Sequence, residues 1–312
     1  MSGVLTGFAV IGTIIAIGYV VGRLGILGDG ARTVLSRIVF FVLSPCLLFT
    51  VLAEADVHVL FSEVLLASAI AAVVPMLLHV AVSALVWRRS VGAVTIGALC
   101  AGYVNANNIG IPIAVYVLGS AALSAPVLLL QLLVFTPIAL TLLDASTRGR
   151  VSVRRVLLQP VTNPIIVASL LGVTVALVGL AFPGFALPDP VLEPFRIVGG
   201  GAVPLMLIGF GMSLSGSRLL APGTGRRDIL LAVLLKVAVM PVVAFLAGRF
   251  LLDLGDAALF GVVVLAALPT AQNVFNYAQR YERGEIVARD SVLLSTVLSV
   301  PALVAVAALL AP

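Results

Sequence analysis

The chain has 312 residues and a formal net charge of +5, yet only 10% of its residues are charged and 62% are hydrophobic. A soluble domain carries roughly 25% charged residues, so a mean hydropathy of +1.25 excludes that class. The basic residues are scattered among short connecting pieces rather than gathered on one face, which argues against a nucleic-acid partner. What remains is an all-α, polytopic membrane protein.

Ten apolar stretches follow one another, at 3–22, 34–53, 62–87, 93–118, 122–143, 163–182, 194–215, 229–251, 256–280 and 288–311. Each is near or above the ~20 residues needed to cross the hydrocarbon core. The first is long enough to span, and Met1-Ser2-Gly3 lacks the basic start of a cleavable signal. Cys46 and Cys100 lie inside spans and read as small core residues, not as a disulfide framework. In the third stretch, His79 reads as a satisfied core side chain rather than a proton relay. Trp87-Arg88-Arg89 closes that stretch as an interfacial anchor.

The fourth stretch is interrupted by Cys100-Ala-Gly-Tyr-Val-Asn105-Ala-Asn107-Asn108-Ile-Gly110-Ile-Pro112. A helix here loses a hydrogen bond at Pro112 and has a weak point at Gly110. Such a break is tolerated inside a bilayer only where protein or a water-filled cavity covers the freed backbone. The ninth stretch carries the same chemistry in Pro269-Thr-Ala-Gln272-Asn273-Val-Phe-Asn276. Unpaired amides in lipid are costly, so both clusters should face the interior. We read Asn105, Asn107, Asn108, Gly110, Pro112, Pro269, Gln272, Asn273 and Asn276 as parts of one binding site, in preference to helix–helix glue.

The loop at 144–162 divides the chain into five-span halves, 1–143 and 163–312. Their prolines answer one another: Pro45 and Pro204, Pro75 and Pro241, Pro112 and Pro269, Pro137 and Pro301. With an odd number of spans per half, the second half is inverted relative to the first. That is the plan of secondary transporters, whose sites lie on broken helices at the repeat interface. Fifteen arginines fall in the odd-numbered loops and two in the even-numbered ones. The positive-inside rule then sets the odd loops, including the 144–162 linker, in the cytoplasm and both termini outside.

Lys236 is the only lysine and lies about a third of the way into the eighth stretch. It admits two readings. It is a counter-charge in the site, for an anion or in place of a coupling cation, or it snorkels to the cytoplasmic surface. The sequence holds no HExxH, no GxSxG and no paired acids at membrane depth, so it is not read as an enzyme and no cofactor is expected. Coupling to H+ or Na+ is left open.

The Asn105…Asn108-Ile-Gly110-Ile-Pro112 break resembles the span-4 motif of the auxin efflux carrier family of permeases. Pro269-Thr-Ala-Gln-Asn273 with Leu294-Ser-Thr-Val-Leu-Ser299, and Lys236-Val-Ala-Val-Met-Pro241, are similar to that family's C-terminal and span-8 patterns. The resemblance covers the whole chain and implies ten spans in two inverted repeats. It further implies crossing broken helices 4 and 9, and an elevator-like motion of a transport domain against a scaffold, as in bile-acid/sodium symporters. Spans 1, 2, 6 and 7 would form the scaffold and a homodimer contact. Absence of the long central loop of the large plant carriers points to a bacterial-type permease of the inner membrane. Its expected substrate is a small organic anion, a carboxylate or an auxin-like weak acid. The alternatives are a sodium-coupled symporter of the bile-acid type and a ligand sensor that does not transport.

Overall fold

The computed structural model describes residues 2–28, 30–55, 63–148, 163–182, 185–214 and 225–311. Residues 149–162 of the linker expected at 144–162, and Arg218, lie outside these. Among the described residues the fold is all-helical, with a single isolated bridge, Val104 to Thr270, as its only extended pairing. The helices are α1 (Ser2–Leu24), α2 (Ala31–Ala53), α3 (Glu63–Val86), α4 (Val91–Gly102), α5 (Ile111–Tyr116), α6 (Ala121–Ser146), α7 (Pro164–Ala181), α8 (Asp189–Met212), α9 (Arg226–Leu251), α10 (Asp256–Ala266), α11 (Gln272–Tyr281) and α12 (Glu285–Leu310). Seven of them (α2, α3, α6, α7, α8, α9 and α12) are long and apolar enough to cross a membrane.

The prolines act on the helices in a regular way. Four π-helical turns, Val39–Leu43, Ala106–Gly110, Gln131–Phe135 and Leu235–Val239, each end two residues before a proline: Pro45, Pro112, Pro137 and Pro241. A proline inside a helix removes one N–H and crowds the carbonyl four residues back. Widening the preceding turn relieves that crowding without ending the helix. Pro75 and Pro301 lie within helical runs that carry no such turn immediately before them.

Two packed groups result. In one, α1 lies along the second part of α8, and α2 packs on α7 and on the start of α8. These contacts depend on backbone approach. A Cβ added at Gly18 would sit 2.3 Å from the Ile208 carbonyl oxygen, and one at Gly211 would sit 2.1 Å from that of Ile15. Small residues that let helices meet at this range substitute in lipid for the missing hydrophobic drive. The second group comprises α3, α4, α6, α9, α10, α11 and α12. In it His79 is buried against Gly97 and lies 3.3 Å from Ser83 Oγ, so it is a core residue with a partner.

Ion pairs sit at the helix ends. Arg89 forks onto Asp228 at the start of α9, with Nε 3.2 Å and Nη2 2.8 Å from the two carboxylate oxygens. Arg196 bonds Glu54 and, at 3.2 Å, Asp189. The latter cluster is exposed and contributes little to stability.

Candidate functional site

The site begins with two interrupted helices and the question of where their freed backbone groups go. After α4 the chain runs extended through Tyr103–Asn105, and after α10 through Pro269–Ala271. These segments lie antiparallel. Asn105 N–H donates to the Pro269 carbonyl at 2.8 Å and Ala271 N–H to the Tyr103 carbonyl at 2.9 Å. Side chains complete the accounting. Thr270 Oγ1 donates to the Cys100 carbonyl at 2.7 Å, and Thr270 N–H donates to Ser295 Oγ at 3.1 Å. Asn105 Oδ1 accepts from Asn108 N–H at 3.1 Å, which caps the π turn that leads into α5.

Thr270→Val tests this junction. Valine keeps the shape of threonine but leaves the buried Cys100 carbonyl unpaired, a cost of about 1–3 kcal/mol. The expected result is a lower melting temperature in detergent. An unchanged melting temperature would show that the bond does not support the junction.

Lys236 belongs to the same accounting. It is fully buried, and its Nζ donates to the Ala266 carbonyl at 2.8 Å and approaches Met240 Sδ at 3.0 Å. Ala266 is the last residue of α10, so the amine sits at the negative end of that helix dipole. It lines neither of the two cavities described next.

A cavity of about 410 Å³ opens beside the junction, between the two packed groups. From one side it is lined by Asn108, Gln272, Asn273 and Asn276, and from the other by Arg32, Arg37 and the apolar Leu205, Met206 and Phe210. The first turn of α11, at the positive end of its dipole, supplies Gln272 and Asn273. No carboxylate of the described residues lines the cavity. Among the described residues no acidic group pairs with Arg32 or Arg37. A second, smaller space of about 60 Å³ continues inward and is lined by Asn105, Asn107, Asn108, Gln131, Asn163 and Asn273.

The structure thus draws together six of the ten residues singled out from sequence: Asn105, Asn107, Asn108, Gln272, Asn273 and Asn276. Gly110, Pro112 and Pro269 shape the breaks without lining either cavity; a Cβ on Gly110 would meet Leu268 Cδ1 at 3.0 Å. Arg32 and Arg37 were not anticipated, because as loop arginines they served only to set orientation. Gln131 was also missed, although an amide in Leu128-Leu-Leu-Gln131-Leu-Leu was a readable signal.

A family model described as membrane transport protein, that of the auxin efflux carriers, matches residues 4–306. No curated protein matches the chain. The chain belongs to that family and is a multi-pass membrane transport protein.

Proposed function

We propose that this auxin efflux carrier family member moves a small organic anion across the cytoplasmic membrane. One observation carries the reading: a 410 Å³ cavity at paired helix breaks holds two arginines and four amides and, among the described residues, has no carboxylate in its lining. Converging donors of that kind match a carboxylate, with an arginine for its charge and amide N–H groups and a helix N-terminus for its remaining lone pairs. The apolar wall at Leu205, Met206 and Phe210 accommodates the carbon skeleton.

The proposal extends to the motion. The cavity lies between two helix groups, so sliding the group that carries Asn108 and Asn273 past the group that carries Arg37 would transfer a bound anion between the two faces of the membrane. We assign ten crossings in two inverted five-helix repeats, both termini outside, and a homodimer built on the α1, α2, α7 and α8 group. Lys236 enters as a positioning residue, since its amine holds the Ala266 carbonyl at the break.

Uptake of radiolabelled carboxylates into proteoliposomes tests the site. Arg37→Ala and Asn108→Ala are each expected to raise the half-saturation concentration about tenfold, the loss of one charge-assisted bond of about 1.5 kcal/mol. Wild-type kinetics in both variants would overturn the assignment.

A further inference from the structure

Two amide oxygens in the side chamber have nothing to bond. Gln131 is 2% exposed, and both its Oε1 and the Oδ1 of Asn107 are buried without a partner. Buried polar atoms are nearly always paired, so an exception at a cavity wall marks a place for a ligand group. Of the other amides of the chamber, Asn163, Asn105 and Asn108 have their oxygens engaged. Asn163 Oδ1 accepts from Ile165 N–H at 3.0 Å as the cap of α7, and Asn105 Oδ1 accepts from Asn108 N–H at 3.1 Å. Asn107 Nδ2 donates to Asn108 Oδ1 at 3.0 Å, which fixes the free oxygen of Asn107 away from that bond. Gln131 opens the π turn Gln131–Phe135, the widened turn that precedes Pro137. π turns of this kind recur at functional sites.

We propose that the chamber is a specificity subsite that reads a hydroxyl group on the transported anion through Gln131 and Asn107. The inference rests on the anion reading above, because the chamber shares Asn108 and Asn273 with the main cavity and so receives a part of the same ligand. Its volume of about 60 Å³ suits a polar substituent and excludes a ring or a long chain. Among the described residues no carboxylate lines it, so an ammonium group or a divalent cation would lie there without a counter-charge. A hydroxyl meets the unpaired oxygens as a donor and carries no charge to compensate. A ligand lacking that group leaves both acceptors unpaired, whereas the single O–H of the correct one pairs one of them, and such a mismatch separates close analogues.

The test compares matched acids that differ by one hydroxyl, lactate against propionate and malate against succinate, as inhibitors of uptake and as stabilisers in thermal shift. Wild type is expected to prefer the hydroxylated member of a pair by about tenfold or more. Gln131→Met, which keeps the length of the side chain and removes its polar end, is expected to bring that ratio near one. A wild-type ratio near one in both pairs overturns the subsite without any variant, as does an unchanged ratio in Gln131→Met. If carboxylates bind and Arg37→Ala weakens them but the ratio is one, the hydroxyl inference alone fails. If no carboxylate binds, the anion reading fails and takes the subsite with it.

Discussion

Asn273→Asp is expected to lower the affinity for organic anions by two to three orders of magnitude while the protein stays folded. The substitution is isosteric, and among the described residues Asn273 makes no side-chain bond that the change would break. It is the second residue of α11 (Gln272–Tyr281), where a carboxylate is favoured by the helix dipole. Stability should therefore hold or rise slightly. Binding responds to the sign of the ligand instead. A carboxylate about 4–5 Å from a bound anion repels it by about 3–4 kcal/mol at an effective dielectric of 20, which is a factor of several hundred. The new acid would also compete for Arg32 and Arg37 on the facing wall. Uptake kinetics and a melting curve on the same preparation check both halves. A cationic substrate would reverse the result, because Asn273→Asp would then bind it more tightly.

The second large effect concerns the frame. Gly211→Val is expected to destabilise the packing of α1 on α8 by about 3 kcal/mol or more, the upper end for overpacking. The first carbon of any side chain at 211 already falls 2.1 Å from the Ile15 carbonyl oxygen and 2.7 Å from the Tyr19 nitrogen. These are backbone atoms within a helix and cannot rotate away, so the two helices must separate. Loss of monodisperse protein on size exclusion, or a fall in melting temperature well beyond that of Thr270→Val, is the expected observation. Gly209→Ala is the control on the same helix, since nothing lies within 4 Å of a Cβ at that position. Equal behaviour of the two variants would show that the close approach is not needed.

The sequence carried different amounts of this. Helix identity was legible because an apolar run of membrane length leaves the backbone few ways to bond itself. The breaks at Asn105–Pro112 and Pro269–Asn276 were legible because proline and clustered amides are costly anywhere but at such a site. Their joining through Asn105, Pro269, Tyr103 and Ala271 was not, since main-chain bonds leave no mark in side-chain chemistry. Arginine at 32 and 37 follows the same loop statistics whether it faces water or a cavity, so only the position of α2 against α8 and α11 reveals it. Lys236 was readable as unusual, but its two sequence readings omitted the Ala266 carbonyl that it bonds, thirty residues away. The π turns escape a fixed 3.6-residue period, because each adds a residue and shifts the face downstream by about 100°.

The bonds between Tyr103–Asn105 and Pro269–Ala271 use backbone atoms alone, and that separates two burdens that proteins usually load on the same side chains. Mutation at Asn107, Asn108, Gln272 or Asn276 can alter what is bound without moving the point where the chains meet. Descendants of such a scaffold can therefore diverge in ligand chemistry by drift at a few amides, with the geometry inherited intact, while change at Thr270 or Gly211 is purged because it strikes the frame itself.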